Sequence, residues 1–142
     1  MNNPYVGNHV VSGNDSMVWV NNEAWPDLKS IEYKVTGEFE DITFLGDKRT
    51  YKKYMGYNCE GTLTANKMRS RGASIMGDAF KTGIMPDIKI VTKIFNQGTG
   101  RSERVALLGV IFSEFGSSTE AKSIAEEELP FTFSEYEILE TM

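Results

Sequence analysis

The sequence predicts a mainly β protein: an antiparallel β-sandwich or barrel with one flanking α-helix and two long hairpins. Short segments rich in β-branched and aromatic residues recur along the chain, and Gly, Asn and Pro separate them. Only residues 67–82 place apolar residues at helical spacing. The composition, 40% hydrophobic and 25% charged over 142 residues, is that of an ordinary globular chain. We therefore expect a single β domain at 17–142 after an extended N-terminal arm at 1–16.

The first half of the domain is predicted to hold a short strand and then a hairpin. Met17 to Val20 is rich in β-forming residues and ends at the turn signal Asn21-Asn22. Apolar and polar residues then alternate up to Gly37, which predicts strands at 28–36 and 38–45 joined by a tight turn. The alternation puts Ile31, Tyr33 and Val35 on one face and Glu32, Lys34 and Thr36 on the other. Residues 61–65 alternate again and predict a further strand.

The second half is predicted to hold the helix, a second long hairpin and a final strand. The helix at 67–82 stops at Gly83, and its glycines at 72 and 77 each weaken it by about 1 kcal/mol relative to alanine. Strands at 87–96 and 103–113 flank a stretch with turn composition. The second of them is apolar on both faces, so we expect it to be central. The last strand runs to Ile138 and either begins at Pro130 or carries this proline at an edge or a bulge.

Composition narrows the classes of function. Cys59 is the only cysteine and His9 the only histidine, which removes most zinc sites and the Ser-His-Asp and Cys-His nucleophile systems. We expect no catalytic residue, metal or cofactor, and we interpret Cys59 as a small strand hydrophobe. The sequence Gly98-Thr-Gly100 lacks the third glycine of a dinucleotide fingerprint and is interpreted as a turn. The chain shows no secretory signal or membrane-length apolar run, so an intracellular, soluble protein is expected.

Two charged segments are candidates for contacts with a partner. Residues 46–56 form an exposed loop or a hairpin tip that interleaves Lys48, Arg49, Lys52 and Lys53 with Tyr51 and Tyr54. Such a segment suits a protein interface, an uninvolved solvent loop, or binding of single-stranded nucleic acid. The net charge of −5 favours the protein interface, since binding to a phosphate backbone needs a basic face. A small β-barrel that binds single strands through residues 46–56 is the alternative function.

The second segment is the acidic run Glu126–Glu128. Neighbouring residues of a strand alternate between its faces, so Glu127 is expected to point away from the other two. We interpret the run as solvated or facing a partner, and it supports no catalytic pair.

The order of these segments resembles that of the tail tube proteins of PBSX-type contractile phage tails. The resemblance covers about residues 17–138. It is carried by Gly61-Thr-Leu-Thr-Ala-Asn-Lys-Met, by Gly98-Thr-Gly-Arg-Ser-Glu-Arg-Val-Ala-Leu, and above all by Glu126-Glu-Glu-Leu-Pro-Phe-Thr-Phe. It implies a structural protein without enzymatic activity, whose six-fold rings stack into the hollow inner tube of a phage, defective-prophage or bacteriocin tail. A related tube from a secretion or injection machine is the near alternative.

The resemblance also implies partners and roles. The partners are further copies of the chain, the tail sheath protein, and the baseplate, tape-measure and terminator proteins, with DNA passing through without specific binding and no membrane anchor. The particle is expected to assemble in the bacterial cytoplasm. We expect hairpins 28–45 and 87–113 to line a neutral or acidic lumen, with Glu32, Lys34 and Thr36 on its polar face. Contacts between rings are expected from the N-terminal arm and from Lys48, Arg49, Tyr51, Lys52, Lys53, Tyr54, Glu126, Glu127 and Glu128.

Overall fold

The computed structural model describes residues 16–96 and 98–141, and these form two antiparallel sheets and one helix. The elements in chain order are β1 (Ser16–Val20), β2 (Glu23–Ala24), β3 (Leu28–Thr43), β4 (Thr50–Asn66), α1 (Arg71–Thr82), β5 (Ile90–Asn96), β6 (Arg101–Leu108), β7 (Ile111–Phe112), β8 (Glu126–Thr132) and β9 (Glu135–Glu140). One sheet has five strands in the order β2-β1-β5-β6-β9, and the other has four in the order β3-β4-β8-β7. The predicted fold class is confirmed. The predicted N-terminal arm falls almost entirely outside the described residues.

The core lies between the two sheets and is closed by α1. Alternating side chains of both sheets meet there, as the period of a half-buried strand requires. The most deeply buried of them are Leu63, Ile90, Leu107, Phe112 and Leu129, each with essentially no exposed surface. Strand β6 lies between β5 and β9, so the prediction of a central strand after residue 103 is confirmed for Val105 to Leu108.

The predicted position of the turn in the first hairpin is wrong. Strand β3 continues through Gly37, and the chain reverses at residues 44–49, where Gly46 has a φ of +82°. Gly37 pairs with Tyr57, and a β-carbon at residue 37 would lie 2.8 Å from the ring of Phe39. The glycine therefore makes room for an aromatic ring, and two strands of 16 and 17 residues form one continuous hairpin.

The second half departs from prediction at two points where the chain changes sheets. Residues 103–113 are not one strand, because β6 ends before Gly109, which has a φ of +65°, and β7 joins the other sheet. Likewise the final segment forms two strands, β8 and β9, rather than one. Pro130 lies inside β8, where Ser113 donates its N–H to the Pro130 carbonyl at 3.0 Å. The missing donor of the proline thus faces the end of the short edge strand β7.

The helix and the first turn follow their local signals. α1 ends at Gly83, which is left-handed and donates its N–H to the Ala79 carbonyl at 2.8 Å. Asn21 and Asn22 both have positive φ and connect β1 to the two-residue strand β2. Such a pair forms the two-residue turn that fits the twist of a hairpin. The sequence predicted the turn but not the short strand after it.

Candidate assembly surface

The distal part of the β3–β4 hairpin extends beyond the core. In this projecting ribbon, residues 34–58, no residue is buried, although the same two strands bury Leu63 and Ala65 nearer their other end. Strand β8 pairs with β4 only at residues 60–66, so beyond this point the described residues add no third strand to the hairpin. A two-stranded ribbon is marginally stable in water by itself, and it needs a partner to hold it.

One face of the projecting ribbon is apolar and continues the face that covers the core. Side chains directly opposite each other share a face, which groups Val35 with Cys59 and Phe39 with Tyr54. The rings of Phe39 and Tyr54 meet edge to face at 5.7 Å, yet both remain more than half exposed. Tyr57 fixes the base of this face, since its ring packs against Tyr136 of β9 at 5.9 Å.

A β-bulge separates the base of the projecting ribbon from its distal half. Glu38 pairs with Gly56 and the next residue, Phe39, pairs with Tyr54, so Met55 has no partner opposite it. Gly56 has a φ of +138°, a backbone conformation that side chains rarely adopt. Gly56, the last residue of the predicted basic segment, thus lies at the bulge. Gly37, where the first hairpin was predicted to turn, lies next to it, since it precedes Glu38 and pairs with Tyr57.

Of the four basic residues predicted to lie in an exposed loop or a hairpin tip, Lys52 and Lys53 are on β4, whereas Lys48 and Arg49 are in the turn before it. Acidic residues lie beside three of the four. The ammonium of Lys52 pairs with Asp41, and Lys53 lies opposite Glu40. Arg49 reaches Asp47 at 3.2 Å. The pKa of the Asp47 carboxyl is held below its usual value by the backbone N–H of Arg49 and by the Tyr51 hydroxyl. This balance weighs against binding to a nucleic-acid backbone, and sequence reasoning missed it because the pairing depends on where the hairpin turns.

The candidate lumen residues lie together on the outward face of the four-stranded sheet. Glu32, Lys34 and Thr36 are all exposed, and Lys34 forms an ion pair with Glu60 of β4 at 3.1 Å. The predicted alternation is confirmed here, since Ile31 and Tyr33 turn toward the core. A shallow cavity of about 310 Å³ runs across this face from Lys34 to Ser113. The outward face is therefore polar and formed by the three strands β3, β4 and β8 with the end of β7.

The acidic run has two different environments. Glu126 and Glu128 are on the outward side of β8, and Glu126 pairs with Lys29 at 2.6 Å. Glu127 points away from these two, as the alternation predicted, but it is 2% exposed and therefore buried rather than solvated. It accepts hydrogen bonds from the Gly72 N–H at 2.7 Å and from Lys67 at 3.0 Å. Glu127 is thus occupied within its own chain, and we leave it out of the surface proposed below.

The start of α1 is fixed by charge on both sides. Glu127 supplies the negative charge that a helix N-terminus favours, and Ser70 makes no side-chain capping bond. On the other side the guanidinium of Arg71 lies 4.5 Å above the Trp25 ring and pairs with Asp27 at 3.0 Å. Burial opposes the charge of Arg71, but hydrogen bonds to Asp27 and Glu23 outweigh it and raise its pKa. These contacts therefore hold the start of the helix against the sheets.

The four-stranded sheet has two unequal open edges. Strand β3 forms one edge with 16 residues, and the two-residue strand β7 forms the other. A long open edge presents unpaired N–H and C=O groups that add strands from another chain. Among the strands of the described residues, β3 forms the longest sheet edge.

No group of three or more metal-ligating side chains comes together in the described residues. Cys59 is buried and free, which confirms its interpretation as a strand hydrophobe, and burial raises the pKa of its thiol. Among residues 16–96 and 98–141, no helix has the length and apolar character needed to cross a bilayer.

Known proteins match nearly the full length of the chain. The family model for the phage tail tube protein matches residues 5–140. A curated relative, the phage-like element PBSX protein XkdM of Bacillus subtilis (strain 168), is 28% identical over 137 residues, covering 94% of this chain and 93% of the relative.

Solved structures share the fold at low sequence identity. A chain of the sheath–tube complex of an extracellular contractile injection system, PVC, superposes with a TM-score of 0.73 at 12% identity, covering 99% of this chain and 100% of that one. The tail tube of SPP1 superposes with a TM-score of 0.68 at 12% identity, covering 94% of this chain and 81% of that one. Since the family model spans nearly the full length and the fold agrees, the chain belongs to the phage tail tube protein family.

Proposed function

We propose that this protein assembles into stacked six-fold rings that form the hollow inner tube of a contractile phage-type tail. The observation that carries the proposal is the four-stranded sheet, which has a long open edge at β3 and continues into a ribbon beyond the core. An isolated subunit leaves both features without partners, and a closed assembly of copies supplies partners for both. The role is structural, with no catalytic step.

Ring closure follows from the two edges of this sheet. When the β3 edge of one copy meets the β7 edge of the next, the four-stranded sheets join side by side, and closing the ring gives both edges of this sheet a partner in every copy. Such a head-to-tail contact repeats identically around a ring. The short length of β7 leaves β3 longer than its neighbour, so the projecting ribbon extends out of the plane of the ring.

In this arrangement the outward face of the four-stranded sheet lines the channel. Away from the start of β8, which the ring contacts use, its charged side chains are four carboxylates and two lysines, a net acidic surface. They are Glu32, Glu38, Glu40 and Glu60, with Lys34 and Lys53. Such a wall repels a phosphate backbone and lets DNA pass without holding it. Strands β5 and β6 of the predicted hairpin 87–113 belong to the five-stranded sheet on the other side of the core, so the proposed lining omits them.

The remaining partners follow from the same assembly. The projecting ribbon, with Tyr51 and Tyr54, and the carboxylates of Glu126 and Glu128 contribute to contacts between rings, together with the N-terminal arm. The sheath surrounds the tube, and baseplate, tape-measure and terminator proteins determine its ends and length. The protein is synthesised and assembled in the bacterial cytoplasm and remains in a virion tail or a phage-tail-like particle.

Electron microscopy of the purified protein tests the proposal. Negative-stain images at high concentration, with light scattering after size exclusion, are expected to show hexameric rings or hollow rods. The physical reason is that the open β3 edge and the unsupported ribbon both gain partners on assembly. A protein that remains monomeric throughout the accessible concentration range, with or without preformed tail ends as nuclei, would contradict it.

A further inference from the structure

We propose that the tip of the projecting ribbon, Phe44–Arg49, seats in a cleft at the opposite end of the four-stranded sheet of a copy in the adjacent ring. The cleft lies between the start of β8 and the segment 114–118. The inference rests on the proposed stacking of rings and names the surface that each ring offers to the next. It replaces a general contact between basic and acidic segments by one socket with a defined occupant.

The tip carries apolar side chains that its own chain does not cover. Leu45 is fully exposed at 107% of its reference surface, and Phe44 is 59% exposed although its ring meets Tyr51 at 5.7 Å. Lys48 is exposed and forms no ion pair with any described residue. The structure adds an apolar point at the end of the ribbon, next to a free positive charge.

The cleft has the complementary character. It is a shallow depression of about 440 Å³, lined in part by Phe115, which is 38% exposed and stacks its ring on that of Phe80. Three carboxylates line it, and two of them, Glu114 and Glu128, form no ion pair within the described part of the chain. The third, Glu126, already forms an ion pair with Lys29. A tip bearing Leu45 and Lys48 therefore meets the exposed part of one aromatic side chain and two unpaired negative charges.

The topology sets tip and cleft at opposite ends of one sheet. Strand β4 begins beside the tip at Thr50, and Thr64, near its far end, lines the cleft. At the rise of an antiparallel strand these two residues are about 45 Å apart. The tip of a chain therefore does not reach its own cleft. When copies stack head to tail, each tip points toward the cleft of the next copy, and the same contact repeats along the tube.

Charge reversal with rescue tests the pairing. Two variants are each expected to lower the fraction of protein in rods about tenfold, because like charges then meet in every interface. One carries Lys48→Glu, and the other carries both Glu114→Lys and Glu128→Lys. Combining all three changes is expected to restore rods to within about twofold of the wild type. Lys89→Glu is the matched control, since Lys89 is exposed and lies next to β5 of the five-stranded sheet. This variant should form rods in the same fraction as the wild type. Circular dichroism of each variant confirms the fold.

A covalent cross-link gives an independent measurement. A chain carrying Leu45→Cys and Ser117→Cys is expected to form a disulfide ladder on oxidation, and neither single variant should do so, because Cys59 is buried. The pairing would be overturned if all charge variants formed rods with normal yield, or if the double-cysteine chain formed rods without a ladder. Either result would leave the proposed function of the protein as a tube standing. Absence of any wild-type rings or rods would instead overturn the proposed function. In that case a double-cysteine chain that still fails to cross-link at high concentration also overturns the pairing.

Discussion

At the scale of single residues, the helix start shows how a weak sequence signal acquires a structural reason. Gly72 and Gly77 look equivalent in the sequence, and both weaken a helix to the same extent. In the structure Gly72 donates its N–H to buried Glu127 and lies against Leu129, whereas nothing lies within 4 Å of a β-carbon at Gly77. The difference depends on residues more than 40 positions away, so the local pattern could not predict it.

Replacing these glycines by alanine is therefore expected to have opposite effects. A β-carbon at residue 72 would lie 2.6 Å from both the Glu127 carboxylate and the Phe115 β-carbon, so Gly72→Ala should destabilise the fold by about 2 kcal/mol. Gly77→Ala meets open space and should stabilise it by about 0.5–1 kcal/mol through helix propensity. Urea unfolding of the two monomeric variants measures both values. Shifts of the same sign would contradict this account of the helix start.

At the scale of elements, the projecting ribbon combines a correct pattern with a misplaced turn. The alternation around Ile31 and Tyr33 predicted which side chains face the core, because a period of two is a local property of the strand. The sequence predicts the turn at Gly37, since glycine is a turn signal in the local pattern. In the folded chain this glycine leaves room for the ring of Phe39, which lies two residues further along the same face of the strand.

The ribbon is also the element whose stability should depend most on assembly. Amide hydrogens of residues 39–54 are expected to exchange at least about tenfold more slowly in rods than in the monomer, because the ribbon of an isolated subunit opens readily. Strands β5 and β6, which bury Ile90 and Leu107, serve as the internal control and should be protected in both states. Hydrogen exchange with mass spectrometry makes the comparison. Equal protection of the ribbon in both states would show that it needs no partner.

At the scale of the whole molecule, the fold class and the single helix followed from the sequence, but the division into two sheets did not. Strand composition and period are local, whereas the sheet changes at Gly109 and Ser134 depend on close contact between these two residues. The sequence also could not show that Glu127 is buried while Glu128 opens into a cleft. The candidate surface was therefore predicted as segments of charge, and the structure arranged them into a polar face, a ribbon and a cleft.

The central claim is that the four-stranded sheet forms the wall of a channel. A helical reconstruction of the rods by electron cryomicroscopy tests it most directly. The account predicts six subunits per ring, with Glu32, Lys34 and Thr36 facing the lumen and the five-stranded sheet turned outward. A reconstruction in which β5 and β6 line the lumen, or in which the β3 edge is unpaired between neighbours, would contradict it.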